Sequence, residues 1–386
     1  MTQTHDNTPV VLAAGGTGGH IFPAEALAEK LLARGQRVVL VTDKRFANFT
    51  SGALSDIETQ TIHAGTVAGG FLKKFTGLMD LALGIFQAWQ RLGNLKPKVV
   101  VGFGGYPSFP TMFAASLRGI PTVIHEQNSV LGRANRILAS RVDHVATSFP
   151  DTQMMPKRVK HVTVTGNPVR ASVKALRELP YPEVSQDGPI RILVTGGSQG
   201  AAIFSQIVPA AVGMLPAGVR KRVHIDQQCR AAELESAKAA YEKMKVQAEL
   251  STFFVDLPAR LAASHLVIAR SGASTVFELA VAGRPGILVP LPNSMDNHQA
   301  INADAFEHAG GGWVMAQPGF TPSALSARLE AFLNTPDSLT KAATGARQMG
   351  LGDAAEKLTE VVLHTARLQS ATHNKTSSNA SNMEAA

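Results

Sequence analysis

Two glycine-rich segments and one histidine have the residue types and spacing that most directly suggest chemistry. Residues 15–20 (GGTGGH) and 196–201 (GGSQGA) each follow a β-branched run and precede a helical pattern. Glycines after a strand let the backbone approach a ligand closely, and the following helix offers unpaired N–H groups and a partial positive charge. Phosphate suits such a turn, although a tight strand-to-helix connection without a ligand would have a similar sequence.

Neither turn matches the common nucleotide-binding motifs. The residue three after Gly18 is Ile21, so Gly-x-Gly-x-x-Gly is out of register, and Gly-x-x-x-x-Gly-Lys-Ser/Thr does not occur. His20 closes the first turn at a helix start, where the helix dipole favours the neutral imidazole that a general base requires. A contact to a substrate phosphate and a structural cap are the alternatives for this histidine.

The sequence offers little for metal chemistry. Asp-x-Asp does not occur, the histidines lack ligand spacing, and the single cysteine, Cys229, can form neither an internal disulfide nor a thiolate zinc cluster. We therefore predict no metal and no other cofactor. The charge of a phosphate leaving group would then be met by N–H groups, a helix dipole and a guanidinium.

Alternating strands and helices must position these residues. The first series of β-branched runs lies at 10–14, 38–42, 99–102, 122–125, 144–147 and 162–165, and the second at 191–195, 219–226, 252–255, 266–269 and 287–290. Helical patterns between them, such as 23–34, 108–118 and 233–244, predict an α/β fold with parallel sheets. Because each series opens with a glycine turn, we predict two Rossmann-like, doubly wound domains facing a central cleft.

Breaker residues and composition set the predicted boundaries. We predict an N-terminal domain at 1–170, a linker at 171–189, a C-terminal domain at 190–369 and a disordered tail rich in Ser, Asn, Thr and Ala at 370–386. The tally of 45% apolar and 17% charged residues excludes wholesale disorder, and no apolar run reaches the roughly 18 residues of a spanning helix. Without a recognisable signal peptide at the N-terminus, the expected compartment is the cytoplasm.

Charge and one amphipathic stretch suggest an anionic partner. The 37 Lys and Arg exceed the 29 Asp and Glu, giving a net charge of +8 that suits phosphates or an anionic membrane. Residues 71–75 (FLKKF) precede an apolar helical pattern that runs to Trp89. This stretch is either a core helix or a surface that rests on an anionic lipid leaflet.

Seven motifs in order resemble the MurG family of bacterial cell-wall glycosyltransferases. They are GGTGGHIFP (15–23), GFGGY (102–106), HEQN (125–128), GNPVR (166–170), GGSQGA (196–201), RSGASTVFE (270–278) and DNHQAIN (296–302). The resemblance implies a GT-B fold and inverting, metal-independent transfer of N-acetylglucosamine from UDP-GlcNAc to the C4 hydroxyl of MurNAc in lipid I, giving lipid II. It also implies a peripheral protein on the cytoplasmic side of the inner membrane, with no nucleic-acid partner.

The resemblance also assigns roles to individual residues. His20 and Glu126 are the catalytic candidates, although Glu126 could instead support His20 indirectly. The acceptor side comprises Gly15, Gly16 and Tyr106. The residues expected to contact UDP-GlcNAc are Thr17, Gly18, Gly19, Asn128, Arg170, Ser198, Phe254, Ala273, Ser274, Thr275, Glu278 and Gln299.

The role expected of Glu278 differs between its sequence position and the family resemblance. Its position on a predicted helix alone favours a solvated carboxylate, whereas the resemblance implies that it accepts both ribose hydroxyls. Arg170 would neutralise the diphosphate, for which a planar guanidinium is suited. Two other functions stay open at this point: a UDP-sugar 2-epimerase of the same architecture, and a nucleotide-sugar sensor without turnover.

Overall fold

The protein divides into two units in a computed structural model that describes residues 7–15, 18–44, 52–65, 71–185, 187–197 and 200–383. The first unit combines Met1–Pro168 with Asp353–Ala386, and the second is Val169–Gly352. Both are built from strands and helices in alternation, which is the arrangement predicted from the sequence.

The first unit contains a parallel sheet whose described strands have the order β3-β2-β1-β4-β5-β6-β7. The strands are β1 (Val10–Ala13), β2 (Val38–Asp43), β3 (Glu58–Ile62), β4 (Val99–Gly102), β5 (Thr122–Glu126), β6 (His144–Thr147) and β7 (Val162–Val164). The helices between them are α1 (Gly18–Ala33), α2 (Phe71–Leu95), α3 (Gly105–Leu117) and α4 (Arg133–Leu138).

Strand β1 is apolar throughout because both faces of the sheet are covered. Val10 and Leu12 pack in a core with α1, whereas Val11 packs in a second core that includes Met112 of α3. A parallel strand buried on both faces has a continuous rather than an alternating apolar pattern. The VVLA run of β1 is such a pattern.

The second unit begins with the short helix α5 (Ala171–Lys174) and has a parallel sheet of described strands in the order β10-β9-β8-β11-β12-β13. Its strands are β8 (Ile190–Thr195), β9 (Val223–Gln228), β10 (Gln247–Ser251), β11 (Leu266–Ala269), β12 (Gly286–Leu288) and β13 (Gly312–Val314). The further helices are α6 (Ala202–Met214), α7 (Ala217–Arg220), α8 (Leu234–Lys243), α9 (Leu257–Ala263), α10 (Ala273–Ala282), α11 (His298–His308), α12 (Pro322–Asn334) and α13 (Asp337–Met349).

The last helix, α14 (Ala354–Met383), differs from the predicted organisation in two ways. It belongs to the first unit, not to a C-terminal domain that extends to residue 369, because Leu358, Val362 and Ala366 are buried in the core beside α1. It also continues past residue 370, where a disordered tail is predicted. The segment contains neither glycine nor proline, so nothing in it interrupts the helix.

Two predicted strands of the second unit are misplaced. For the strand predicted at 219–226, Val219 and Arg220 instead complete helix α7, and β9 begins only at Val223. The strand predicted at 252–255 lies just after β10, which is Gln247–Ser251. Strand β10 is a partly exposed edge strand with the sequence QAELS. An edge strand needs fewer apolar residues than a central one, which explains why its pattern is weak.

Candidate active site

In each sheet the glycine turn follows the first strand, and from this strand the chain adds strands first on one side and then on the other. The first turn follows β1, which lies between β2 and β4, and the second follows β8, which lies between β9 and β11. Ligands of open parallel sheets bind beyond the carboxyl ends of strands at such a change of side. The topology therefore makes both turns candidate ligand sites, one in each unit.

The first turn is closely packed against the segment that follows β4. A Cβ added to Gly15 would lie 2.9 Å from the side chains of both Pro107 and Thr42, so this position accepts only glycine without a shift. Gly18 and Gly19 form the start of α1. Gly16 and Thr17, the other predicted ligand contacts of this turn, lie outside the described residues.

His20 is partly buried in the first turn of α1, and its ring lies against Gly104 and Gly105. These glycines have φ of 81° and 74°, the left-handed region that favours glycine. A Cβ on Gly105 would lie 3.2 Å from Cδ2 of His20 and 3.4 Å from Nε2. The other ring nitrogen, Nδ1, is 3.0 Å from Oε1 of Gln127, which follows β5.

Glu126 is buried at the end of β5, and its carboxylate is engaged by the loop that follows. Oε1 accepts hydrogen bonds from Asn128 N and Nδ2, at 3.0 and 3.2 Å. Oε2 accepts from Gly132 N and from Asn135 Nδ2, both at 2.8 Å. Glu126 thus fixes the loop that carries Gln127 and Asn128, an arrangement that favours support of His20 over direct proton transfer.

Tyr106, the remaining acceptor-side candidate, is on the same edge of the sheet. It is the second residue of α3 and is 45% exposed, so its side chain is accessible to a ligand. The segments after β1, β4 and β5 carry Gly15, His20, Tyr106, Glu126 and Asn128. Because these strands are neighbours, the topology brings all of them to one edge of the first sheet.

The second turn has a similar construction. A Cβ on Gly196 would lie 2.2 Å from the backbone N of Ala201, and Gly197 and Gly200 have φ of 74° and 66°. Ala201 precedes α6 and has no side-chain oxygen to cap the helix. The start of α6, which has no side-chain cap among the described residues, offers backbone N–H groups that suit an anion such as phosphate. Ser198 lies outside the described residues.

Helix α10 brings the next group of candidates together in the second unit. Its first turn contains Ala273, Ser274 and Thr275. Glu278 follows in the same helix, and its side chain is only 14% exposed. Glu278 is therefore not a solvated helix carboxylate. Burial raises the pKa of this carboxyl, while the nearby Arg170 guanidinium opposes that shift.

Arg170 and Glu278, which are predicted to contact different parts of the donor, form an ion pair. Nη2 of Arg170 is 3.0 Å from Oε1 of Glu278, and the arginine side chain is 26% exposed. A ribose bound to Glu278 would therefore lie beside a guanidinium. The same pair could serve a hydroxyl and a phosphate of one nucleotide.

The remaining residues expected to contact UDP-GlcNAc, Gln299 and Phe254, are held in place by contacts within the second unit. Oε1 of Gln299 accepts from Leu291 N at 3.0 Å, which joins α11 to the loop after β12. Phe254 is buried, and the Arg260 guanidinium lies 4.1 Å from its ring centroid. Arg260 in turn pairs with Asp226, Glu249 and Asp256.

Metal donors do not converge in the part of the chain that the structure describes. Within these residues, no three His, Cys, Asp or Glu side chains are arranged to hold a metal ion. The candidate sites of both units consist instead of glycine turns, helix N-termini, one histidine and the Arg170–Glu278 pair.

Known proteins match the chain over nearly its whole length. Residues 10–147 match the glycosyltransferase family 28 N-terminal domain, and residues 191–361 match the C-terminal domain of that family. A UDP-N-acetylglucosamine–N-acetylmuramyl-(pentapeptide) pyrophosphoryl-undecaprenol N-acetylglucosamine transferase of Rhodospirillum centenum is 54% identical over 93% of this chain and 95% of its own. The chain belongs to the MurG family.

Solved structures agree with this assignment. MurG of Acinetobacter baumannii has a TM-score of 0.74 at 29% identity, covering 92% of this chain and 99% of its own. The calicheamicin glycosyltransferase CalG4 has a TM-score of 0.63 at 15% identity, covering 93% of this chain and 98% of its own. This likeness supports only the assignment of the fold. The two parallel-sheet, Rossmann-like units are those of a GT-B fold, as predicted.

Three residues beside the candidate sites make contacts that the MurG family motifs do not predict. Gln127 lies inside the HEQN motif, so its position was visible but its contact with His20 was not. Arg230 donates from Nη2 to Gly200 O at 3.4 Å and so places a cation beside the second turn. Arg260 is four residues after Asp256, which indicates a helical ion pair but not the contact with Phe254.

Proposed function

We propose that this protein transfers N-acetylglucosamine from UDP-GlcNAc to the C4 hydroxyl of MurNAc in lipid I, with inversion at the sugar, giving lipid II for peptidoglycan synthesis. The observation that carries the proposal is the 54% identity, over nearly the full length of both chains, to a transferase named for this donor and acceptor. A 2-epimerase is not favoured, because the curated relatives carry a transferase name.

The geometry of the second unit suits the donor. The N-termini of α6 and α10 offer backbone N–H groups and positive dipole ends to the diphosphate, and Arg170 supplies a cation. Glu278 accepts hydrogen bonds from the ribose hydroxyls. These groups stabilise the negative charge that develops on UDP as it leaves, and this stabilisation lowers the barrier to cleavage of the glycosidic bond.

The first unit supplies the proton acceptor. As the C4 hydroxyl oxygen attacks C1 of N-acetylglucosamine, the C1–O bond to UDP breaks and its electron pair leaves with the diphosphate. The hydroxyl proton passes to His20, at the start of α1. One displacement on the face opposite UDP inverts the anomeric centre.

We further propose that α2 docks the protein on the anionic, cytoplasmic face of the membrane where lipid I is found. Leu78, Met79, Leu83, Phe86 and Trp89 of this helix are each 43% to 59% exposed. An exposed apolar helix surface is typical of an interfacial contact. Lys73 and Lys74 precede it on the same helix, but their side chains lie outside the described part. Among the described helices, none has the length and hydropathy that crossing a membrane requires.

A transfer assay tests the proposed reaction. Purified protein is incubated with UDP-GlcNAc and a lipid I analogue, with and without EDTA, and the disaccharide product is quantified. We expect product in both reactions, since the chain contains no Asp-x-Asp motif for a metal under the diphosphate. Release of UDP without an acceptor would favour the epimerase, and loss of product on chelation would contradict the metal-independent mechanism.

A further inference from the structure

A chain of hydrogen bonds joins His20 to the backbone carbonyl of Gly166, near the end of the first segment of the first unit. Nδ1 of His20 is 3.0 Å from Oε1 of Gln127, and the Gln127 amide nitrogen is 3.1 Å from Nδ1 of His125. Nε2 of His125 is in turn 3.1 Å from Gly166 O. His125 and Gln127 are buried, so their partners within this chain decide where the protons lie.

The direction of the chain is set at Gly166. A carbonyl oxygen can only accept, so Nε2 of His125 must carry a proton and donate it to Gly166 O. Burial lowers the pKa of His125 to about 4, so at neutral pH the ring carries no second proton. Nδ1 of His125 therefore has a lone pair and needs a donor.

The Gln127 amide supplies that donor and is thereby fixed in orientation. Its nitrogen is 3.1 Å from Nδ1 of His125, 3.0 Å from Phe103 O and 3.1 Å from His125 O. All three are acceptors, so a flipped amide would place its oxygen against three lone pairs. The amide oxygen must therefore face His20, and Nδ1 of His20 must donate to it.

We propose that Gln127 is a positioning residue that holds neutral His20 in the Nδ1–H tautomer, so that Nε2 is the nitrogen that takes the acceptor proton. This inference rests on the proposed function, in which the C4 hydroxyl delivers its proton to His20. Gly105 keeps the other ring nitrogen clear of a side chain, because a Cβ there would lie 3.4 Å from Nε2.

The tautomer can be measured directly by nitrogen NMR of the imidazole ring. The full chain is labelled with ¹⁵N-histidine, and the His20 signals are identified as those lost in His20→Gln. In the wild type we expect a protonated Nδ1 and an unprotonated Nε2 at neutral to mildly alkaline pH. Gln127→Met retains the size of the side chain but removes the amide, and should shift His20 toward the Nε2–H form. Gln153→Met, at an exposed glutamine of the same unit, should resemble the wild type.

Turnover provides the functional readout. Loss of the correct tautomer should lower kcat at least about 100-fold, which is the scale of losing a correctly oriented base. The affinity for UDP should change less than about twofold, because the nucleotide contacts proposed above are on the second unit. A disturbed fold would instead alter these parameters together.

A second variant covers the case in which Gln127→Met does not fold. Gln127→Glu still offers an oxygen to Nδ1, so His20 should keep its proton there. Its second oxygen takes the place of the amide nitrogen against three acceptors, so the carboxyl must carry a proton there and stays neutral. A folded Gln127→Glu enzyme whose His20 is protonated at Nε2 would overturn the proposal.

The NMR and kinetic outcomes separate the two proposals. A wild-type His20 protonated at Nε2, or an unchanged tautomer in Gln127→Met, would overturn the role of Gln127 whether or not the enzyme makes lipid II. A changed tautomer with unchanged kcat would also overturn it, because the orientation would not serve the reaction. Absence of transfer by the wild type would instead refute the proposed function, while the NMR result would still decide the tautomer.

Discussion

His20 is at the start of a helix, with one ring nitrogen engaged by Gln127 and the other beside a glycine. If it is the base, His20→Ala should lower kcat by about 100- to 10,000-fold. UDP affinity should stay within about twofold, because the nucleotide contacts are proposed for the second unit. Steady-state kinetics on a lipid I analogue and a UDP titration test this, with the exposed His308→Ala as control. A near-normal kcat would remove His20 from proton transfer.

Glu278 offers a second test at the residue scale. Glu278→Ala removes a charged acceptor, and hydrogen bonds to charged groups contribute about 1.5 to 3 kcal/mol. UDP should therefore bind about 10- to 150-fold more weakly to the variant. The wild type should also bind 2′-deoxy-UDP more weakly than UDP, whereas the variant should hardly distinguish them. These affinities can be measured by calorimetry.

A matched control separates the ribose contact from a general effect of the substitution. Glu235 is an exposed glutamate in the first turn of α8, in the same unit, and Glu235→Ala should leave UDP affinity unchanged. Equal affinity for UDP in wild type and Glu278→Ala would contradict the ribose assignment. The partner of Arg170 would then have only a structural role.

His125 makes the stability of the first unit depend on pH. Its pKa is about 4 in the folded protein and 6.5 as an ordinary histidine, because burial disfavours the charged ring. Between these values the unfolded chain binds more protons than the folded one, so stability is full above pH 6.5 and is lost as pH falls toward 4. The loss should approach 3 kcal/mol, or about 1.4 kcal/mol per pKa unit. Chemical unfolding across this range should show a shallower dependence in His125→Gln, and equal slopes would contradict the assignment.

Residue type and spacing predicted the glycine turns and His20, and the family resemblance added Glu278, but neither predicted the contacts of these residues. Gln127 meets His20 across 107 positions of sequence, and Arg170 meets Glu278 across 108. No local pattern encodes such pairs, because they arise only when parallel strands align their carboxyl ends. The ion pair places side by side two residues that have separate predicted roles.

At the scale of elements, burial determined what the sequence could predict. Central strands such as β1 and β8 have continuous apolar runs, because helices cover both faces of their sheets. The edge strand β10 has only a weak pattern, and the strand predicted at 252–255 begins five residues after the start of β10. The apolar pattern of α2 was compatible with a core helix or an exposed one, and the structure shows that several of its large side chains are exposed.

Helix α2 carries the prediction of membrane docking. Met79 and Phe86 are each more than half exposed, and burying such a side chain contributes up to about 1.5 to 3 kcal/mol. Changing both to Glu should lower binding to vesicles with anionic lipid by at least about 10-fold. Met214→Glu, at a residue of the second unit that is 57% exposed, should bind as the wild type does. Sedimentation with vesicles measures these changes.

Charge should contribute to the same contact. Lys73→Glu with Lys74→Glu should weaken binding most at low salt, because a surface field is screened as ionic strength rises. Turnover of a short-chain, water-soluble acceptor should persist in all these variants, since none alters the proposed active site. Unchanged vesicle binding in the Met79 and Phe86 variant would show that another surface docks.

At the scale of the whole molecule, chain order and structural unit do not coincide. The sequence predicted two similar domains in succession, and the two sheets confirm that repeat. It did not predict that α14 returns to the first unit, since an amphipathic helix can pack equally well on whichever sheet precedes it. The apolar contacts decide, because Leu358, Val362 and Ala366 are buried in the core beside α1, and the pairing of Lys30 with Glu356 at 3.0 Å adds to them.

The return of α14 predicts that a mutation near the C-terminus destabilises the N-terminal unit. Leu358 is fully buried in the core beside α1, and Leu→Ala changes at such sites cost about 2 to 5 kcal/mol. Amide hydrogen exchange of α1 should therefore accelerate in Leu358→Ala, whereas UDP binding should be unaffected because its proposed site is on the second unit. Leu368→Ala, at a residue of the same helix that is 49% exposed, should change the opening free energy by less than about 0.5 kcal/mol. If Leu358→Ala instead accelerated exchange in the second unit and left α1 unchanged, α14 would belong with the domain that precedes it in the chain.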